Sequence, residues 1–193
     1  MINYSEKDII KGCQDNNRVH QESLYKQYYS LFLKICLRYS KNMEDAEQLL
    51  NDGFVRIFKS IAGFKQSGSF EGWMKRIMVN TCLDYLKSKQ LKDSLQISYA
   101  SALPEDTNIA LSTEAVKRLE FKELIDMIQC LPPVSKTVFN LYVFDGFSHK
   151  EIGTMLDISE NTSSWHLHHA RNQLQKRLKK NNVEKPLYEH KRV

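Results

Sequence analysis

One segment of the sequence, Phe147 to Arg171, places hydrogen-bonding groups where they could read DNA. Ser148-His149-Lys150-Glu151 has the spacing of a capping box and opens a short helix to about Leu156. Asp157-Ile158-Ser159 reads as a tight turn, and Ser159 caps a longer helix to about Lys179. This is the pattern of a helix-turn-helix, whose second helix presents its first turns to base edges in the major groove. At about 100° per residue, Ser163, Leu167, Ala170, Leu174 and Leu178 fall on the inward face. Asn161, Trp165, His168, His169 and Asn172 point outward, with Ser164, His166 and Arg171 on the borders. From Glu160 to Lys180, Arg171, Lys176, Arg177, Lys179 and Lys180 stand against Glu160 alone, a net charge of +4. A helix of this kind suits phosphates and bases. The plainer alternative is a helical hairpin with a solvated basic end. The three histidines do not suggest a metal site, because positions i, i+2 and i+3 of one helix do not converge and no Cys or acid joins them.

The first half of the chain has its own charge asymmetry. From Lys41 to Phe54, Lys41 stands against Glu44, Asp45, Glu47 and Asp52, a net of −3. From Lys65 to Lys92, six bases stand against Glu71 and Asp84, a net of +4, with Phe64, Phe70 and Trp73 close by. An acidic and a basic surface on one domain suggest two macromolecular partners, one protein and one nucleic acid. Bases interleaved with aromatics fit single strands, whose nucleobases stack or are captured after leaving the duplex. Phe70 and Trp73 also lie on an apolar stripe, which makes them core candidates. The loop Lys65 to Ser69 stays open between the two readings.

The elements that must position these residues read as helices. Of 193 residues, 41% are hydrophobic and 26% charged, while seven Gly and four Pro are too few for an all-β fold with its frequent turns. The expected fold is all-α: two small helical domains, the second carrying the helix-turn-helix. Ser5-Glu6-Lys7-Asp8 is a capping box for a helix to about Gln14. Leu24, Tyr28, Leu31, Ile35 and Tyr39 give helical spacing to Arg18–Tyr39. Asn42 caps a helix to about Ile61 that carries Ala46, Leu49, Leu50, Phe54, Ile57 and Phe58 on one side. Ser69 caps the most periodic helix, with Phe70, Trp73, Met74, Ile77, Met78, Thr81, Cys82 and Tyr85 as its stripe.

The composition then changes. Asp93 to Glu114 holds four acids and no Lys or Arg, with Pro104 in its middle, and reads as an acidic flexible linker. A helix from about Ala115 to Cys130 follows. Pro132-Pro133 starts another, with Val134, Val138, Leu141, Tyr142 and Phe144 as apolar positions and Gly146 at its end. Lys180 to Val193 is polar and reads as a loose tail. The expected limits are residues 1–92 for the first domain, 93–113 for the linker, 114–182 for the second domain and 183–193 for the tail. Cys13, Cys36, Cys82 and Cys130 are widely spaced with no CxxC pair, so neither a disulfide framework nor a zinc site is expected. No apolar run approaches the length of a membrane span and Met1–Lys11 lacks an export core, so a cytoplasmic location without membrane insertion is expected.

Taken together, these residues resemble an RNA polymerase sigma factor of the extracytoplasmic-function group. Asp45-Ala46-Glu47-Gln48-Leu49-Leu50-Asn51-Asp52-Gly53-Phe54 is similar to that family's polymerase-binding helix. Phe70-Glu71-Gly72-Trp73-Met74 and Ile77-Met78-Val79-Asn80-Thr81 resemble the helix after its promoter-melting loop. Leu131-Pro132-Pro133, Asp145-Gly146-Phe147-Ser148, Glu151-Ile152-Gly153 and Ala170-Arg171 resemble its C-terminal DNA-binding domain. The resemblance runs from about Leu24 to Leu178, with both domains in the family's order. It implies that the helix around Asp45, Glu47, Asp52 and Phe54 docks on the clamp helices of the largest polymerase subunit. It implies that the loop Lys65, Gln66, Ser67 and Ser69 holds a flipped base of the minus-ten element, with Arg76, Asn80 and Lys87 on the promoter strand. Asn161 and Arg171 would join Ser164, Trp165, His166 and His169 in reading the minus-thirty-five element. The acidic linker would thread toward the polymerase active site, and an anti-sigma protein would hold the chain inactive.

Some residues depart from the family's pattern. Asn51 stands where many members have Gln. Ser163 replaces an apolar residue inside the recognition helix, which predicts slightly weaker packing. Trp165 and the histidines replace smaller or basic residues, which predicts DNA contact that strengthens as pH falls. The competing functions are a free-standing helix-turn-helix regulator and a nuclease using Asp45, Glu47 and Asp52. The regulator leaves the acidic helix and aromatic loop unexplained. The nuclease lacks a Gly-rich phosphate loop and a nucleophile–base pair, so the expectation is a non-enzyme with no cofactor and no small-molecule substrate.

Overall fold

The computed structural model describes residues 4–65, 68–93 and 123–184. Every regular element among them is helical. The chain divides into two compact units, Met1–Thr107 and Asn108–Val193. Apart from Asp93, which ends the fourth helix, the expected linker lies outside the described residues, as do the final residues of the tail.

In the first unit, α1 (Glu6–Gln14), α2 (Arg18–Tyr39), α3 (Met43–Ser60) and α4 (Phe70–Asp93) follow their predicted starts closely. The reason is local. Ser5 and Asp8 complete their capping box, and these bonds hold the Asp8 carboxyl below its usual range. Asn17 caps α2 through the Val19 N–H, and Asn42 caps α3 through the Asp45 N–H at 2.7 Å. A single 3-10 turn, Ile61–Gly63, closes α3. Helices α2, α3 and α4 pack against one another, and α1 packs on α2. Leu24, Phe32, Cys36, Leu50, Phe54, Ile57, Met74, Met78 and Cys82 fill the space between them. Phe32 belongs to this core, although the spacing of α2 had pointed to Leu31, which is only half-buried. The buried Cys13 behaves as a small hydrophobe, and burial pushes its thiol up to about 11.

In the second unit, the described part of α5 spans 123–129, and the expected helix start near Ala115 lies outside the described residues. Pro133 opens α6 (Pro133–Phe139), which widens into a π turn at Asn140–Phe144. The Asp145 N–H reaches back to the Asn140 carbonyl at 3.1 Å. This widening corrects the continuous helix expected here. Val138 and Leu141 are buried, but Val134, Tyr142 and Phe144 are exposed. Gly146, at φ +78°, redirects the chain into α7 (His149–Leu156), whose Ser148–Glu151 capping box is complete.

The turn to α8 (Glu160–Glu184) passes through Asp157 in the left-handed region at φ 56°. Helix α8 runs past Lys179 into the expected tail. It packs on both α6 and α7. Its inward face holds Ser163, Leu167 and Ala170 as expected, but Leu178 is 46% exposed, because α8 extends beyond the elements that cover it. Gly153 sits where α7 meets the turn, and a Cβ there would lie 2.7 Å from the Ile158 carbonyl oxygen. That neighbour is backbone and is itself bonded to the helix–turn junction, since the Ile158 N–H donates to the Gly153 carbonyl at 3.0 Å. Gly153→Ala is therefore expected to destabilise the second unit by about 1–3 kcal/mol. Urea denaturation followed by circular dichroism checks this; an unchanged midpoint would show that the turn yields without cost.

Candidate nucleic-acid interface

The acid-rich helix α3 places its charges unevenly. Glu47 and Asp52 are exposed. Asp45 is half-buried and accepts a hydrogen bond from Tyr85 Oη of α4 at 2.7 Å. These two helices border a groove of about 530 Å³ lined by Asp45, Asp52, Arg56, Asp84 and Tyr85 among others. Arg56 Nη1 and Asp84 Oδ2 pair across it at 2.5 Å. Phe54 does not belong to this surface. It is 2% exposed and packs against Tyr25 and Phe32 at ring distances of 4.6 and 5.6 Å. The expectation that it contacts a partner is corrected: a ring of that size on the inward stripe of α3 lies in the core. Asn51, the residue in place of the family's Gln, accepts a bond from Tyr25 Oη at 3.1 Å.

Before α4, Lys65 is exposed, while Gln66 and Ser67 lie outside the described residues. Ser69 is occupied locally: its Oγ accepts from the Gly72 N–H at 3.2 Å, and its carbonyl from the Trp73 N–H at 3.0 Å. Phe64, Phe70 and Trp73 form a ring cluster with centroids 5.0–5.7 Å apart. Phe70 is buried, whereas Phe64 and Trp73 are half-buried. Arg76, Asn80 and Lys87 are exposed, and their spacing puts them on one side of α4. The cluster therefore stiffens the base of the loop beside a basic helix face.

On α8, Asn161, Ser164 and Trp165 are exposed, Trp165 at 59%. The histidines divide into separate roles instead of forming one surface. His168 Nε2 pairs with Asn172 Nδ2 at 2.9 Å. His166 and His169 are half-buried, and their Nδ1 atoms lie 3.0 and 3.3 Å from Ser135 Oγ of α6. The Trp165 ring lies parallel to His169, 4° between planes and 5.2 Å between centroids. Arg171 is exposed, with its guanidinium 5.9 Å from the Tyr142 ring, and Tyr142 stacks on His149 at 4.5 Å. His149 Nδ1 in turn meets Ser163 Oγ at 2.9 Å. Ser163 is fully buried and its hydroxyl is satisfied, so beside any packing it gives up it braces α8 to α7.

Ser135 escaped the sequence reading, and Tyr142 entered it only as an apolar helix position. The signal for Ser135 was a polar residue on the Leu131, Ser135, Val138 stripe, where a buried hydroxyl needs a partner.

Two helical units, one with an acidic helix beside a basic aromatic face and the other with a helix-turn-helix, define an all-α, two-module protein built around macromolecular surfaces. Comparison with known proteins agrees with both modules. The family model for sigma-70 region 2 matches residues 24–91, and that for sigma-70 region 4 matches residues 121–174. The ECF RNA polymerase sigma factor SigE of Mycolicibacterium smegmatis is 30% identical over 84% of this chain, which spans 63% of that protein's length. The ECF RNA polymerase sigma factor SigW of Bacillus subtilis is 28% identical over 93% of this chain and 97% of its own. The same fold occurs in CnrH, solved with the cytosolic domain of CnrY, at 17% identity and a TM-score of 0.53 over 89% of this chain and 95% of CnrH. It also occurs in the sigma factor RpoE of Bartonella quintana, solved with the anti-sigma factor NepR, at 17% identity and a TM-score of 0.55 over 82% and 96%. The chain belongs to the sigma-70 family of transcription initiation factors, in its extracytoplasmic-function group. A free-standing helix-turn-helix regulator is the less supported reading.

The His166 site has a pH consequence. Burial, and secondarily the neighbouring His169, hold its pKa below the ordinary 6.5. Its protonation is therefore displaced to lower pH than expected of an exposed imidazole, and any gain in DNA contact from its charge is displaced with it. The fold favours neutral His166, so its stabilising contribution is complete above about 6.5 and is lost as pH falls through the depressed folded value. Melting of the full chain at about pH 7.5 and about pH 5.5 is expected to show an acid-sensitive loss that shrinks in His166→Gln. An identical pH difference in both proteins would remove His166 as its source.

Proposed function

We propose that this chain binds core RNA polymerase and directs it to promoters in two contacts. The observation that carries this reading is the pairing of an acid-rich helix and a basic, aromatic-based helix in one unit with a helix-turn-helix in the other, in the order of regions 2 and 4. In this reading Asp45, Glu47 and Asp52 face the clamp helices of the largest subunit, with Phe54 shaping that helix from beneath. Lys65, Gln66, Ser67 and Ser69 receive the flipped minus-ten base, and Arg76, Asn80 and Lys87 hold the same strand by charge and hydrogen bonds. Asn161, Ser164, Trp165, His166, His169 and Arg171 serve the minus-thirty-five contact, the last by steadying the helix against Tyr142. Residues 1–92 and 114–182 are the two working domains, 93–113 the acidic linker and 183–193 the tail.

The relatives CnrH and RpoE were solved bound to CnrY and to an anti-sigma factor, which supports an anti-sigma protein as a second partner. The chain acts as a binding subunit and not as an enzyme, in the cytoplasm. Among the described residues no helix is long and apolar enough to cross a membrane. Run-off transcription with core polymerase over a promoter library is the direct test. Specific initiation that requires this chain supports the reading; tight specific duplex binding with no effect of core enzyme would overturn it.

Two substitutions separate the contacts. Glu47→Lys with Asp52→Lys is expected to weaken pull-down by core polymerase at least tenfold at low salt, with a melting temperature nearly unchanged, because exposed helix charges add little stability. Asp45 is left intact because its Tyr85 bond ties it to the fold. Equal retention of both proteins would reject this docking face. Trp165→Ala is expected to change promoter preference while leaving the salt dependence of binding intact, because the ring carries no charge. A uniform loss over all promoters would show that the ring only packs against His169.

A further inference from the structure

Ser135 lies on α6, outside the recognition helix, and is 1% exposed. Among the described residues its hydroxyl has two hydrogen-bond partners, His166 Nδ1 at 3.0 Å and His169 Nδ1 at 3.3 Å. A serine hydroxyl carries one hydrogen and accepts through its lone pairs. It can therefore donate to one imidazole only. If both rings donated, the buried hydroxyl hydrogen would be left without an acceptor, which is costly. If both rings accepted, one would face a lone pair with a lone pair. The arrangement that satisfies all three groups gives one ring a bare Nδ1 and the other an Nδ1–H.

We infer that Ser135 is a positioning residue for base readout: it holds His166 and His169 in opposite tautomers, so that α8 presents one ring donor and one ring acceptor. The ring that accepts at Nδ1 carries its hydrogen on Nε2. The ring that donates at Nδ1 leaves Nε2 bare. Trp165 restrains both rings, parallel to His169 and edge-on to His166 with 78° between planes and 4.9 Å between centroids. His168, bonded to Asn172, stands outside this arrangement. A ring N–H suits the N7 and O6 acceptors of purines, and a bare ring nitrogen suits the exocyclic amines of adenine or cytosine. The two Nε2 atoms thus ask for different base edges at neighbouring positions, and a residue that touches no base sets which. The inference rests on α8 being the minus-thirty-five helix.

The test has two arms. The first is long-range nitrogen–proton NMR of the full chain labelled at histidine, at about pH 8, above the ordinary imidazole range. His166→Gln and His169→Gln assign the two rings. One is expected as Nδ1–H and the other as Nε2–H. Ser135→Ala is expected to return both to a common tautomer, and Ser135→Thr, which keeps the hydroxyl, to preserve the difference. The same tautomer on both rings of the native chain overturns the inference, as does a difference that survives Ser135→Ala. Should Ser135→Ala fail to fold, the native chain and Ser135→Thr still decide.

The second arm is run-off transcription by the holoenzyme on promoters varied base by base upstream. Ser135→Ala is expected to flatten preference at one or two adjacent base pairs by about three- to tenfold, the scale of one hydrogen bond, with the salt slope unchanged. Native preferences retained in Ser135→Ala overturn the role in readout. If the native chain shows opposite tautomers but supports no transcription with core enzyme, the sigma-factor reading fails while the Ser135 geometry stands.

Discussion

A helix that reads DNA must be held firmly on one side while its other side stays polar and open. In α8 that constraint is met with little apolar material. Its first three turns bury only Ser163, Leu167 and Ala170. Hydrogen bonds supply the orientation that a row of large side chains would otherwise supply. Ser163 binds His149 of α7, and Ser135 of α6 binds His166 and His169. Each such bond adds about 0.5–1.5 kcal/mol, but breaking one leaves a buried polar group unmet at about 1–3 kcal/mol. Rotated or shifted placements of α8 lose these partners at once, so the bonds select one placement more strongly than they stabilise it.

The N-terminal unit meets a different demand by different means. Its core is apolar and aromatic, with Phe32, Phe54, Met74 and Met78 almost wholly enclosed. Apart from the buried Arg38, its described charges lie largely outside that core, and exposed ion pairs contribute little to stability. The pairs Lys26–Glu22 and Arg56–Asp84 are exposed, and Lys75–Glu71 is half-exposed. Glu47, Asp52, Lys65 and Lys87 are therefore available for partners without loss to the fold. Asp45 is the exception, since its bond to Tyr85 links α3 to α4. The aromatic cluster Phe64–Phe70–Trp73 serves both ends: Phe70 joins the core, and the other two rings brace the chain just before α4.

These two solutions suit a protein that works inside a larger assembly. A unit that presents opposite charges on adjacent helices can face a protein on one side and a nucleic acid strand on the other. Membership of the sigma-70 family agrees with this two-module organisation, since separate family models match the two units.

Much of the fold was legible in the sequence by itself. Helix starts depended on Ser5, Asn42, Ser69, Ser148 and Ser159, whose caps act over three residues and need no tertiary context. Helical spacing placed most of the α3 and α4 core for the same reason. Net charge along the chain located the acidic and basic surfaces. Contacts between residues far apart were decided only by the tertiary structure. Spacing already put Phe54 on the apolar side of α3; the resemblance made it a partner contact, and packing against Tyr25 and Phe32 of α2 leaves it in the core. The π turn at Asn140–Phe144 exposed Tyr142, and Arg171 and His149 came to lie against that ring. A helical wheel treats His166 as a border residue, yet Ser135, thirty-one positions earlier, determines what that ring is bonded to. Periodicity reports which side of a helix is apolar; it carries no information about which polar group on another helix will face a given nitrogen, and here that group sets the chemistry.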